Sequence, residues 1–392
     1  MRNLIFISLI FFLGCVKEKR EKLVIWESYN DEEHILFMKI VQDFQSKTGI
    51  KIDVQRIPFF GMESKILTSL AAKTTPDIAR VDIAMVPKLA YKNAIIEITD
   101  FNKEEILEQS LTSVEIDGMI YGVPDQVNCL AVFYNKKLFE EKNIKIPENW
   151  EEFYETAKRL RDKEKGIYGF AMRNTLWWHL PFFYGFGGKL MEKGRFTLNS
   201  TECVNALTFI KKLYDEDIEA GAWKAGAVDP DMGFLNGKYA MVFNGPWKIK
   251  SLLDANFPFG IFLIPKGSFG RPTPIGGTDM VIFRNSKNYK NAIKFLQYLT
   301  SKEVQTMWAN ELGEIPVNKM SMNEIDFGKH PYLKVFVEGI KEAVPRPPFP
   351  DYQGVENIVN PEIEAALTGK KEIKKALDDA TMRVNKEILS IQ

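Results

Sequence analysis

Histidine and cysteine are nearly absent from this chain, which has three of each in 392 residues. His34, His179 and His330 stand apart from one another and from Cys15, Cys129 and Cys203, so no zinc-ligand spacing exists and no resident metal or cofactor is expected. Cys129 and Cys203 are too few for a disulfide framework, and free thiols are expected there. Net charge is missing as well: 52 basic residues balance 52 acidic ones. Without an uncompensated field a polyanion has nothing to hold it, which excludes a nucleic-acid partner. No stretch approaches the roughly 20 apolar residues a helix needs to cross a bilayer. Internal repeats, low-complexity segments and a Walker A loop are also lacking. What is present is an ordinary globular composition, 45% hydrophobic and 27% charged, with a generous 12% aromatic. The length suits two or three domain-sized cores.

The first residues read as an address. Residues 4–13 are strongly apolar except for Ser8, Arg2 precedes them and Gly14-Cys15 closes the run, which is a signal-peptide pattern. The closing residues resemble a bacterial lipoprotein cleavage site, although Phe12 and Leu13 stand where lipoproteins usually carry Leu and a small residue. The resemblance implies removal of residues 1–14, a lipid on Cys15, and a charged tether over 15–22 that holds the body outside the membrane. An extracytoplasmic, lipid-anchored location is therefore expected.

Beyond the tether, Leu23-Val24-Ile25-Trp26 reads as a strand, and Phe37, Ile40, Val41 and Phe44 recur at helical spacing up to Lys47-Thr48-Gly49. Residues 50–54 alternate as a second strand, 62–72 read helical, and 78–81 form a third apolar strand. This βαβαβ order implies a mainly parallel sheet with helices on both faces and ligands beyond the carboxyl ends of the strands. Asp117-Gly118 signals a hairpin whose antiparallel strands would join the sheet. A second α/β unit begins near residue 130, with strands at 130–134, 169–172 and 240–243 and helices at 150–160 and 203–213. Helices follow at 292–299, 304–309 and 373–389, and Pro345-Arg346-Pro347-Pro348-Phe349-Pro350 is a non-helical bridge.

The order of these features resembles the extracellular solute-binding proteins of ABC importers, in particular the oligosaccharide-binding family typified by maltose-binding protein. The landmarks are Leu23-Val24-Ile25-Trp26, Thr48-Gly49-Ile50-Lys51, Pro76-Asp77-Ile78, Tyr134-Asn135-Lys136, Asn244-Gly245-Pro246-Trp247 and residues 365–369. The resemblance implies a periplasmic-binding-protein-like type II fold, two α/β lobes joined by a multi-strand hinge with a ligand cleft between them. By that likeness one lobe holds residues 23–127 with 279–318 and the other 128–278 with 319–392. Crossings are implied near 127–130, 277–280 and 317–319. It further implies a monomer that passes a sugar to a membrane permease driven by a separate ATPase.

A sugar offers two apolar C–H faces and an equator of hydroxyls, so its site needs flat aromatics above and below and polar groups around the edge. Trp247 follows an apolar strand at a Gly-Pro turn that would aim its indole at the cleft; a core Trp behind a turn is the competing reading. Of Trp177-Trp178, which precede the aromatic run Pro181-Phe182-Phe183-Tyr184, the resemblance assigns ligand stacking to Trp177 and leaves Trp178 buried. Glu27 and Tyr29 lie in the loop after the first strand. Asp82 follows the third strand, as a hydroxyl acceptor or as a helix cap. Asn128 occupies the hinge position where relatives carry an acid. Gly277, Thr278 and Asp279 lie on another crossing, with Thr278 in place of a relative's aromatic. Gly354-Val355-Glu356 stands where maltose-binding relatives stack a Trp, and Tyr352 is the nearest aromatic. A shorter α-glucoside of maltose or trehalose type, or another oligosaccharide, is thus expected, captured without a bond being broken.

Two other readings compete. A glycan hydrolase could draw on Asp82, Asp125, Asp279 and Glu356 for a carboxylate pair. The same fold could instead carry glycerol phosphate or a polyamine, with Arg80, Arg173 and Lys248 the candidate phosphate donors.

Overall fold

The computed structural model describes residues 22–391. The expected leader, the lipidation at Cys15 and the tether up to residue 21 lie outside them. Five strands form one mixed sheet in the order β2-β1-β3-β12-β6, namely β1 Leu23–Glu27, β2 Ile52–Arg56, β3 Ile78–Asp82, β6 Val123–Cys129 and β12 Ile275–Ile282. The first three are parallel, linked by the helices Asp31–Thr48 and Phe59–Ala72. Asn30 and Glu33 cap the first of these reciprocally, and Gly49, at φ 73°, ends it.

The antiparallel members come from elsewhere than expected. β12 runs antiparallel to both β3 and β6. The Asp117-Gly118 hairpin, β4 Glu115–Ile116 and β5 Met119–Ile120, makes a two-stranded sheet of its own, because each arm is only two residues long. Its turn residues have the positive φ that the sequence requires, 52° and 79°.

A second sheet has the order β10-β7-β11, built antiparallel from β7 Ala131–Asn135, β10 Met241–Asn244 and β11 Phe259–Phe262; β8 Met191–Glu192 and β9 Arg195–Phe196 pair separately. The strand expected at 169–172 is reduced to isolated bridges, Phe170 with Glu219 and Ala171 with Val242. Gly169 is pressed so close to the Trp150–Leu160 helix that a Cβ would stand 1.9 Å from the Ala157 carbonyl oxygen. Backbone hydrogen bonds still tie that segment to residues 218–220 on one side and 238–241 on the other, as separate bridges rather than a continuous strand.

Only Leu130 separates β6 from β7, so the chain passes directly from one sheet to the other. Bridges from Val127 to Ile315 and from Ile106 to Asn318 bring a third segment to this crossing. A core of Val127, Cys129, Phe133, Ile315, Val317 and Phe336 seals it. Further cores gather around Leu23, Ile25 and Phe37 beneath the first sheet and around Phe170, Phe182 and Phe243 beside the second. Cys129 and Cys203 are free and buried in different cores; burial pushes both thiols up, Cys203 to about 11.

Arg80 is buried where β3 meets β1. Its Nε donates to Asp125 at 2.9 Å and its Nη2 to Gln126 at 2.7 Å, while its guanidinium lies 3.9 Å from the Tyr29 ring centroid. Removing one partner from such a buried pair strands the other charge, so Arg80→Met should cost about 3–5 kcal/mol, read as a lower urea midpoint.

Glu219 is 1% exposed, and its Oε2 accepts from the Gly221 N–H and the Trp223 indole N–H, both at 2.8 Å. Burial pushes its carboxyl up from 4.5 to about 7, against the opposing pull of these donors. A raised carboxyl pKa means that folding takes up a proton. Its stability contribution is complete below pH 4.5 and is lost as pH rises through about 7. Glu219→Gln keeps one oxygen for both donors. It should flatten this fall, worth up to about 3 kcal/mol, in urea unfolding curves measured across that range.

Candidate ligand-binding site

β10 delivers Asn244 to the Gly245-Pro246 turn, and Trp247 folds back over Gly245, where a Cβ would lie 2.0 Å from the indole. Trp177 opens the Leu176–Gly185 helix and faces Trp247, with ring centroids 6.3 Å apart and planes at 36°. Its Nε1 donates to the Ile275 carbonyl at 3.3 Å. Its ring covers Gly276, where a Cβ would meet Trp177 at 2.7 Å and the Asn128 Oδ1 at 2.3 Å. Trp177 and Asn128 thereby meet over Gly276, and Trp247 faces Trp177 from above Gly245. Trp178 turns edge-on to Trp177 at 5.1 Å and carries the Arg173 guanidinium 4.7 Å from its centroid. It is half-buried, as Trp177 is, rather than sealed as expected: it packs against the core and carries Arg173 over its ring.

The polar residues divide into two groups. Glu27 is fully buried, with Oε2 accepting from the Tyr29 N–H at 2.6 Å and Oε1 2.7 Å from His34 Nδ1. Tyr29 is buried too, its hydroxyl donating to Asp125 at 2.7 Å and its ring stacked on Trp308. Asp279 is sealed in the first sheet, accepting from Ser113 at 3.2 Å, and burial holds its carboxyl well above the usual range. These three side chains are engaged inside the protein.

Asp82 is different, since 39% of its side chain is exposed. Its Oδ1 accepts from the Ala84 N–H at 2.8 Å and from Arg346 Nη2 at 3.1 Å, so the turn role and the charged role coexist. Thr278 lies opposite Asp82 in the β12–β3 register, and its buried hydroxyl has no hydrogen-bond partner. Gly277, at φ 139°, lets β12 approach β6; a Cβ there would stand 2.2 Å from the Gln126 carbonyl. Tyr352 is 6% exposed, with Arg346 4.8 Å from its ring centroid.

Arg346 was not singled out as a candidate from the sequence, and Glu356 only as a hydrolase carboxylate. The Glu356 carboxyl is raised by burial, against Arg346 and the Trp177 backbone N–H, which draw it down. The available signal was a lone cation inside a run of prolines, where a rigid backbone can hold a charge in place.

The cations of the phosphate reading are all neutralised. Arg80 pairs with Asp125. Asp231 accepts from Arg173 at 2.9 Å and lies 3.2 Å from Lys248. Burial opposes its ionisation, but these two cations outweigh it and hold the carboxyl below its usual value. Of the carboxylates of the hydrolase reading, Asp125 and Asp279 are buried in the first sheet. Among the described residues no group of three or more His, Cys, Asp or Glu could hold a metal.

A family model described as bacterial extracellular solute-binding protein matches residues 39–335. The galactooligosaccharide-binding protein of Bacillus subtilis (strain 168) is 24% identical over 381 residues, covering 92% of this chain and 88% of that protein. Among solved structures, the GacH receptor of Streptomyces glaucescens, crystallised unliganded and with acarbose, superposes with a TM-score of 0.85 at 23% identity, covering 93% of this chain and 97% of that one. A solute-binding protein of Thermotoga lettingae bound with α-D-tagatose gives 0.84 at 25% identity, covering 93% and 99%. These likenesses establish a mixed α/β fold of the maltose-binding type. With the family match covering most of its length, the chain belongs to the bacterial extracellular solute-binding proteins and is a non-enzymatic solute-binding protein of an ABC transporter.

Proposed function

We propose that this protein captures a neutral di- or oligosaccharide between two lobes, residues 23–127 with 279–318 and 128–278 with 319–392, and delivers it unaltered to a membrane permease. The observation that carries the reading is the Trp177–Trp247 pair, with Trp177 set beside Asn128 over Gly276. Indole faces supply the apolar contact for a sugar ring, while Asp82, Thr278, Arg346 and Glu356 supply its polar edge. Glu27, Tyr29 and Asp279 support the site from behind, Tyr352 supports Arg346, and Gly277 lets the hinge strands meet. The paired cations argue against an anionic cargo, because each already has a carboxylate.

Several relatives carry names that agree, among them a maltotriose-binding protein of Pyrococcus abyssi and a maltooligosaccharide ABC transporter solute-binding lipoprotein of Streptococcus pneumoniae. The latter also supports an anchor at Cys15 and a position outside the cytoplasmic membrane. With Val355 in place of a third Trp platform, a short α-glucoside of maltose or trehalose type fits better than a long maltodextrin. Closure follows from contact with both lobes, since a ligand shifts an equilibrium only by its differential affinity. Micromolar capture asks for about −8 kcal/mol in total.

A thermal-shift screen over maltose, trehalose, maltotriose, sucrose, cellobiose and galacto-oligosaccharides should show stabilisation by at least one sugar, with no consumption on long incubation. Trp247→Ala should weaken that sugar by about ten- to a hundredfold, the equivalent of about 1.5–3 kcal/mol of lost burial. A melting temperature indifferent to every carbohydrate would end the sugar reading. Gly276→Ala should displace the Trp177 ring and Asn128, lowering affinity for the same sugar in calorimetry and costing about 1–3 kcal/mol of stability.

A further inference from the structure

Three ion pairs join the proposed lobes to each other, one of them, Lys302 with Glu324 at 2.8 Å, close in sequence to the implied crossing at 317–319. Asp82 meets Arg346 at 3.1 Å, and Lys88 meets Asp351 at 3.0 Å. Lys88 lies on the helix Met85–Tyr91 and also donates to Glu63 of the helix Phe59–Ala72 at 2.7 Å. Its side chain is 13% exposed, well inside the range where water and salt screen an ion pair only in part. Burial opposes its charge, but the two carboxylates outweigh burial and keep it protonated.

Lys88 and Asp351 each also have a partner on their own side. Glu63 would keep Lys88 paired if the lobes parted, and the Gly354 N–H would keep Asp351 Oδ1 satisfied, since Asp351 caps the helix Tyr352–Leu367. Opening at Lys88 therefore strands neither member of that pair. A contact of that kind is reversible, unlike a sealed pair whose rupture is prohibitive.

We propose that Lys88, shared between Glu63 and Asp351, is a latch that holds the lobes together and sets ligand affinity without touching the ligand. This rests on the two-lobe reading above. Apparent affinity scales with the fraction of protein already in the binding-competent state, so a contact that favours closure tightens every ligand by one common factor. Capture of an uncharged sugar then becomes sensitive to salt, because the latch is ionic although the cargo is not.

Small-angle scattering of the ligand-free protein tests this without knowledge of the sugar. Compared at about 20 mM NaCl, Lys88→Met and Asp351→Asn should show a larger radius of gyration than the parent, and Lys88→Arg should stay compact. The parent itself should expand at about 1 M NaCl, where the Debye length falls to about 3 Å. Asp351→Asn keeps an oxygen for the helix cap, and urea midpoints check that each variant is folded. Calorimetry with whichever panel sugar stabilises the protein should show Lys88→Met weakening all active sugars about three- to tenfold alike, with a flatter salt dependence. Scattering curves that superimpose between parent and Lys88→Met overturn the latch. A panel with no active sugar would overturn the sugar reading alone, since scattering still decides the latch.

Discussion

β12 can lie where it does only because residues 276 and 277 have no side chains. The strand is buried along its whole length between β3 and β6. At Gly277 a methyl group would strike the neighbouring strand's carbonyl, and at Gly276 it would strike an indole and an amide from the opposite side. The register slips immediately afterwards, between Thr278 and Asp279. One short stretch of backbone thus sets how closely β12 and β6 approach, where Trp177 rests, and which residue stands opposite Asp82. A bulkier pair would separate the strands and dismantle the site with them.

Charge around that strand is arranged by cancellation. Arg80 is answered by Asp125, Arg173 and Lys248 by Asp229 and Asp231, and Arg346 by Asp82. Low dielectric makes each isolated charge costly, so pairing is the condition for keeping any of them partly buried. The outcome is a set of strong hydrogen-bonding groups with little net field, which suits hydroxyls better than phosphates. The Lys88–Asp351 pair differs from the sealed ones in that each member has another partner on its own side. That difference separates a rigid scaffold from a part that can move.

Much of the first sheet could be read from the chain. Alternation and helical spacing marked β1 to β3 and their helices, because one-sided burial imposes a period on the side chains. The antiparallel contribution of β12 was invisible, since its partners lie some two hundred residues away and a fully buried strand shows no alternation. The segment at 169–172 was read in part correctly: it pairs on both sides, but through isolated bridges rather than as a continuous strand. Of the candidate aromatics, Trp247 was marked by the Gly-Pro turn before it, whereas Trp177 was singled out by the family resemblance and by no local signal. Arg346 was not legible, because its partners come from β3 and from a helix beyond the prolines.

Local composition and periodicity were enough to determine a mixed α/β chain with few cysteines, no net field and aromatic residues placed at turns. Short-range preferences of that kind act within a few residues and survive in any fold. Which of those residues share a cleft was decided by tertiary structure alone. Glu27 and Tyr29 sit at a strand end, where a ligand contact is a fair expectation, and yet their polar atoms are engaged by His34 and Asp125. Whether a polar group faces solvent, a partner or a neighbour depends on contacts across long stretches of sequence, and no local pattern encodes that competition.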